Sequence, residues 1–391
     1  MDFTYPRETE PFREQVADWL SEHLVGDFAR LGAGAELRAV DWHIRLAWEQ
    51  ELGRGGWIGL SWPESYGGRA VTIMEEMVFA EEYAKAAGPT RTNTLGEGLL
   101  GPTLIEWGTD EQKRRFLSPI LRGEQTWCQG FSEPSAGSDL AGLSTRARLD
   151  GPQWVIDGQK VWTSQAHLAD WIFVLARTDP HVAKHKGISF FLVPLDQSGV
   201  EVRPLRDIAG ERHFCEVFFD HAVTEKELIV GSPGDGWSIA MSTLGFERGT
   251  AFIGTLVRYG RELQQLIELA RQAGRLSSPT LRQSLADLRI GYDLMRYGLY
   301  RTVTQLQRSG RPGPEASIAK LQWSQWHQKL GEVALEILGA AGVTETGDPV
   351  VHAVQHAFLF SRAHTIYAGS SQIQRNVIAE RLLGLPKEPA A

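Results

Sequence analysis

The sequence predicts an α+β multidomain chain: an N-terminal helical domain over 1–122, a small central β-barrel or β-sandwich domain over 123–235, and a C-terminal four-helix bundle over 236–391. Three observations predict it. Apolar residues recur at helical spacing before Gly123, short runs rich in Val, Ile, Phe and Trp follow, and long helical patterns resume at Gly236.

In the first part Phe12, Val16, Trp19, Leu20 and Leu24 fall on one helical face, and further helices are expected near 37–56, 72–87, 95–107 and 110–122. Pro63 and the Gly67-Gly68 pair make 60–68 a loop. Glu97, Thr103 and Glu106 lie among apolar neighbours on the 95–107 helix, and the rarity of buried carboxylates favours a solvent-facing placement. In the central part strands are expected at 144–149, 153–157, 171–177, 188–194, 200–204 and 214–219, with Asp150-Gly151 and Asp157-Gly158 as hairpin turns. Residues 178–187 read as a mobile surface loop. Helices over about 236–273, 281–309, 314–340 and 349–383 complete the chain, with a tight turn at 310–314 and a frayed tail from Pro386.

Composition excludes several classes. With 391 residues and 42% hydrophobic content the chain can bury a sizeable core. A formal charge of −8 and no basic-aromatic stripe argue against nucleic acid. The N-terminus has no basic segment leading into an apolar one, and no apolar run approaches spanning length, so a cytoplasmic protein away from membranes is expected. Cys128 and Cys215 are too far apart in sequence for a Cys-x-x-Cys site and read as buried small hydrophobes. The pairs His181/His185 and His352/His356 lack a third ligand in motif, so no metal is expected.

The densest cluster of chemistry-bearing residues is 127–139. Pro134 and Gly137 break regular structure there, and Ser132, Ser135, Ser138 and Asp139 crowd hydroxyls and a cap-like pair into one bend. Such a bend can aim backbone N–H groups and hydroxyls at an anion or a polar ring, or be an ordinary polar turn. A second feature stands at the start of the third part. Trp237, Ala240, Met241, Leu244, Ala251 and Thr255 recur at three- and four-residue steps, and Glu247 falls on the same stripe. Burial would raise the pKa of that carboxyl towards the range of a general base; pairing with an arginine would make it structural instead. Spacing alone leaves both open.

Phe131-Ser132-Glu133-Pro134-Ser135-Ala136-Gly137-Ser138-Asp139 resembles the (T/S)EP-x-AGSD signature of the acyl-CoA dehydrogenase family. Gly158-Gln159-Lys160-Val161-Trp162-Thr163-Ser164 is similar to its G-x-K-x-W segment, 60–68 to its W-P-x-x-Y-G-G loop, and Tyr367-Ala368-Gly369-Ser370-Ser371-Gln372-Ile373-Gln374 to its C-terminal block. The resemblance implies FAD as cofactor, an acyl-CoA substrate, an electron-transferring flavoprotein as acceptor, a homotetramer or heterotetramer, and α,β-dehydrogenation to a trans-2-enoyl-CoA.

It also implies roles. Phe131, Ser132, Ser138, Trp162, Ser164, Gly339, Ser370 and Gln372 would contact the cofactor, and Ser138 and Arg248 the substrate. Much of the family carries its base just before the G-(T/S) of the last block, where this chain has Ala368. A minority carries it in a Glu-Arg pair on the helix opening the third domain, and Phe246-Glu247-Arg248 is similar to that arrangement. Glu247 is therefore the expected base, with the backbone N–H of Ala368 as a donor to the thioester carbonyl. The segment 336–342 resembles Q-x-x-G-G-x-G with Glu336 and Ala340 replacing Gln and Gly. No clear R-x-x-F-G is present, Arg271 and Arg282 being possible substitutes. The wording of the last block resembles bacterial members acting on branched, aromatic or steroid-side-chain thioesters. A flavin monooxygenase of the same fold, or a non-catalytic subunit of a heteromeric dehydrogenase, are the alternatives.

Overall fold

The computed structural model describes residues 5–32, 41–246, 251–309, 313 and 316–387. Two compact units emerge: one spans Pro6–Thr250, and the other Ala251–Ala391 with the first five residues.

The larger unit opens with helices α1 (Glu10–His23), α2 (Asp27–Leu31), α3 (Trp42–Arg54), α4 (Ile73–Lys85), α5 (Gly101–Trp107) and α6 (Asp110–Leu121). Local chemistry fixes two of the starts. Thr72 and Glu75, and Thr109 and Gln112, form reciprocal capping boxes that satisfy the first free N–H groups of α4 and α6. Between Leu60 and Gly68 the chain makes a short 3₁₀ turn at Glu64–Tyr66, ended by Gly67 at φ +86°. The helix expected over 95–107 is two pieces, because a π-turn at Gly96–Leu100 precedes α5.

Eight strands form one sheet in the order β6-β7-β3-β2-β4-β5-β8, with β1 alongside β4. They are β1 (Trp127–Gly130), β2 (Arg146–Asp150), β3 (Gln153–Ser164), β4 (Trp171–Arg177), β5 (Ile188–Pro194), β6 (Val200–Leu205), β7 (Phe214–Glu225) and β8 (Ile229–Val230). β4 and β5 match expectation because both are near-continuous apolar runs, buried on both faces. Three departures have local causes. Asp157-Gly158 is not a hairpin turn: Gly158, at φ +149°, passes through a register shift and β3 runs on to Ser164. β7 likewise continues to Glu225, along β3. The segment 127–130 is a strand, paired in parallel with β4, its entry held by Asp170 Oδ2 accepting from Thr126 N at 2.7 Å and by Asn93 Oδ1 accepting from Trp127 N at 3.0 Å.

One core, built on Phe116, Trp127, Phe173 and Phe190, joins the sheet to α5, α6 and α7 (Gly236–Phe246). A second, on Ile156, Val174, Phe191 and Val217, includes the buried Cys128 and Cys215.

The smaller unit contains α8 (Ala251–Gln272), α9 (Pro279–Ser309), α10 (Ala316–Leu338), α11 (Pro349–His364) and α12 (Ser371–Val377). The periodic run over 349–383 is not one helix. Ala368 at φ +50° and Gly369 at φ +86° turn the chain out of α11, and Ser370 then caps α12 by accepting from Ile373 N. Among the described residues no helix is long and apolar enough to cross a membrane. The expected turn at 310–314, apart from Gly313, lies outside the described residues, as does the tail from 388.

Candidate active site

The 131–139 bend leaves β1 and is anchored from below. Glu133 N donates to Ala136 O at 2.9 Å and Ala136 N returns a bond to Glu133 O at 3.0 Å, closing the loop on itself. The Glu133 side chain turns inward, where its carboxylate accepts from Ser144 N (2.6 Å), Ser144 Oγ (2.7 Å), Thr145 N (2.9 Å) and Lys160 Nζ (2.8 Å). Lys160, on β3 and fully buried, also donates to Phe131 O at 3.2 Å, and Val161 N donates to Ser132 O at 3.0 Å. Burial opposes ionisation of Glu133, but the Lys160 charge and these hydrogen bonds outweigh it and pull the carboxyl down to about 2. Burial lowers the Lys160 ammonium to about 8 against the pull of Glu133, so the pair is ionised at neutral pH. From β4, Arg177 donates to Ala141 O (2.8 Å), Leu143 O (3.1 Å) and Lys184 O (3.0 Å).

Of the predicted contacts on this bend, Phe131 is buried edge-to-face against Phe173 and Phe190, Ser132 is half-buried, and Ser138 is exposed. At the end of β3 the register shifts again between Lys160 and Thr163. That irregularity puts Trp162 at φ +60° and leaves its indole 60% exposed, edge-on to Phe214. Ser164, half-buried, pairs in register with Phe214. The structure thus brings Phe131, Ser132, Trp162 and Ser164 into one strand-and-bend assembly.

The helices beside it carry polar groups of their own. Arg91 donates to both oxygens of Glu49 (2.7 and 3.0 Å) and to Glu97 Oε2 (2.6 Å), while Glu97 Oε1 accepts from Gly59 N at 2.8 Å. Glu97 is therefore pinned, not solvent-facing, because an arginine six residues earlier in the chain meets it. Thr103 is fully buried and shares a 2.8 Å hydrogen bond with Thr243 of α7, which also departs from the solvent-facing expectation. Glu106 is exposed, and accepts from Ser242 Oγ at 2.5 Å. On α7 the buried face is Gly236, Ile239, Ala240 and Thr243; Met241, placed on the apolar stripe by spacing, is 42% exposed. Glu247 and Arg248 lie outside the described residues.

In the smaller unit, Ala368 sits exposed at the head of the turn, its carbonyl accepting from Gln374 Nε2 at 3.0 Å. Ser370 caps α12, and Gln372 is exposed. Gly339, at φ +58°, ends α10 and opens a 3₁₀ turn to Val343. Arg271 is paired with Glu268 of its own helix at 2.6 Å.

Family models match nearly the whole chain: the acyl-CoA dehydrogenase N-terminal domain over 6–124, the middle domain over 128–222 and the C-terminal domain over 234–383. The chain belongs to the acyl-CoA dehydrogenase family. It is 48% identical over 386 residues to acyl-CoA dehydrogenase IpdE1 of Mycobacterium tuberculosis, covering 98% of this chain and 99% of that protein. Among solved structures, the Tcur3481-Tcur3483 steroid ACAD matches with a TM-score of 0.85 and 29% identity over 99% of this chain and 100% of that one. The ChsE4-ChsE5 complex of Mycobacterium tuberculosis matches with a TM-score of 0.84 and 27% identity over 99% and 100%.

As an acyl-CoA dehydrogenase the protein is an FAD-dependent oxidoreductase. Its residues fit that cofactor. Thr163 Oγ1, one residue beyond the solvent-exposed indole of Trp162, and Gln129 Nε2 on β1 are buried with no hydrogen-bond partner among the described residues. In the other unit, Ser371 Oγ and Gln374 Oε1 are likewise buried and unsatisfied. Unsatisfied buried polar atoms of this kind, taken in each unit by itself, are what a ligand with polar edges would answer. Sequence reasoning missed Glu133, Lys160 and Gln374 as the groups that shape this dehydrogenase's loops. For Gln374 a signal existed: two residues beyond the exposed Gln372, it lies on the opposite, buried side of α12.

Proposed function

We propose that this acyl-CoA dehydrogenase converts an acyl-CoA thioester to its trans-2-enoyl-CoA in the cytoplasm, Glu247 taking the α-proton and the N–H of Ala368 donating to the thioester carbonyl. The α-proton of a thioester is weakly acidic, so its removal needs a placed base and a hydrogen-bond donor where enolate charge develops. FAD, when bound, supplies the acceptor for the β-hydride. Phe131, Ser132, Trp162, Ser164, Gly339, Ser370 and Gln372 would hold it, and Ser138 and Arg248 the substrate. The carrying observation is the turn at Ala368. Its carbonyl is engaged by Gln374 and no carboxylate stands anywhere in 365–377, so the base must come from elsewhere.

The 48% identity to IpdE1 and the likeness to a steroid ACAD support a bulky, steroid-derived or branched acyl group, with an electron-transferring flavoprotein as acceptor. The ChsE4-ChsE5 complex and the Glu336 and Ala340 replacements favour a heteromeric tetramer over a homomeric one. The test is anaerobic addition of saturated acyl-CoAs of graded bulk while the flavin band is followed. Wild type is bleached by bulky thioesters, and Glu247→Gln keeps its flavin with reduction slowed at least about a thousandfold, within the range of base removal. Unchanged reduction in that variant removes Glu247 from the mechanism, and a flavin that no acyl-CoA bleaches removes the dehydrogenation itself.

A further inference from the structure

Three ionisable side chains from three different helices of the smaller unit meet in a line. Glu262 Oε2 of α8 lies 2.7 Å from His327 Nε2 of α10, and His327 Nδ1 lies 3.1 Å from His364 Nδ1 at the end of α11. Both histidines are buried. Their ring planes lie within 24° of each other with centroids 4.8 Å apart, and Tyr259 stacks on His327 at 4.4 Å. His364 meets Tyr367 edge-to-face at 5.6 Å, and its carbonyl accepts from Lys320 Nζ. Tyr367 is the residue before Ala368.

The hydrogen-bond pattern dictates proton positions. A carboxylate can only accept, so His327 Nε2 carries hydrogen. Two Nδ1 atoms at 3.1 Å leave room for one proton between them, so one ring donates and the other accepts. Burial first, then the neighbouring His327 ring and the charges of Arg258, Lys320 and Arg362, push the His364 pKa down to about 2, so this ring stays neutral. Each ring is thus fixed in tautomer and orientation by the next, as a carboxylate fixes an imidazole in metal and hydrolase sites.

We propose that Glu262, His327 and His364 form a positioning chain that holds the Tyr367–Gly369 turn, and with it the Ala368 N–H, in its working pose. The proposal rests on the reading of Ala368 as the carbonyl donor. The turn needs such support: Ala368 is held at a positive φ that an alanine rarely adopts, and the hydrogen bond on its carbonyl among the described residues comes from the following helix, through Gln374. Glu262, His327 and His364 are positioning residues, since they act through the turn.

The test compares Glu262→Gln and Glu262→Asp with wild type, each as flavin-loaded protein. Glu262 is half-exposed and its isosteric replacement leaves the helix packing in place. Two measurements are made: hydrogen exchange of the amides over 366–371, and the rate of anaerobic flavin reduction against acyl-CoA concentration. In Glu262→Gln we expect exchange over 366–371 to rise about tenfold while helix α9 is unchanged, and limiting reduction to slow about tenfold at unaltered acyl-CoA affinity. Glu262→Asp, which keeps the carboxylate, recovers part of both. Wild-type exchange in Glu262→Gln overturns the proposal, and so does exchange that rises equally in the Asp variant. Raised exchange with full reduction rate also overturns it, because the turn would then move without consequence. If wild type is not reduced by any thioester, the dehydrogenation reading fails, and the exchange data still decide whether the chain holds the turn.

Discussion

Lys160 Nζ stands 2.8 Å from Glu133 Oε1, and with it a strand residue and a residue of the 131–139 bend form an ion pair from which water is excluded. Removing one partner strands a buried charge. We expect Lys160→Met to cost about 3–5 kcal/mol and the double variant Glu133→Gln/Lys160→Met distinctly less, measured by denaturant unfolding. Flavin retention should fall with the single variant, because Phe131 O loses its Lys160 donor. The same carboxyl makes the protein acid-sensitive. Its folded pKa lies below its unfolded one, so its contribution is present above about pH 4.5 and is lost as the pH falls towards about 2.

His364 acts on a higher pH window. Its folded pKa is about 2, so between that value and about 6.5 the unfolded chain binds a proton that the folded chain refuses. Stability therefore rises with pH across this window, by up to about 1.4 kcal/mol per unit. Unfolding midpoints from pH 7 to 5 should fall in wild type, and fall less steeply in His364→Gln.

Arg91→Lys tests the cluster behind the π-turn. A guanidinium reaches both oxygens of Glu49 and one of Glu97 at once, and an ammonium cannot keep that fork. We expect a loss of about 2–4 kcal/mol, bounded by the cost of breaking a buried pair outright. A melting temperature equal to wild type would show the cluster to be energetically neutral.

Gly101 opens α5 against an indole. A methyl group there would stand 1.9 Å from Trp62 Cζ2, so Gly101→Ala must displace the ring, at a cost of about 1–3 kcal/mol. Adding Trp62→Phe should give a total loss smaller than the sum of the two single variants, read from the same melting curves.

What the sequence made legible follows the range of the interactions involved. β4 and β5 announce themselves because a strand buried on both faces is an unbroken apolar run, and α4 and α6 because their caps lie within four residues of their starts. The full length of β3 is hidden because Asp157-Gly158 is the same dipeptide whether it turns a hairpin or crosses a bulge; what decides is Thr145, just before β2, packed against Gly158. The break between α11 and α12 contains no proline and keeps helical periodicity, so only the observed φ values of Ala368 and Gly369 disclose it. At the site, motifs located the bend and Trp162. The partners that give the bend its shape are 27 residues away for Lys160 and Glu133, a separation with no periodic signature.

β1 and β4 run side by side in the same direction, so the 131–139 bend and the segment after Arg177 leave the sheet at the same end. Arg177 fastens both, one nitrogen on Ala141 and Leu143 and another on Lys184. Residues 180–186 of the 178–187 loop are exposed, which would recommend it for grafted peptides or affinity tags. Yet lengthening it would pull on the same guanidinium that braces the carbonyls just past the bend, and an insertion there would be felt as a change in cofactor occupancy.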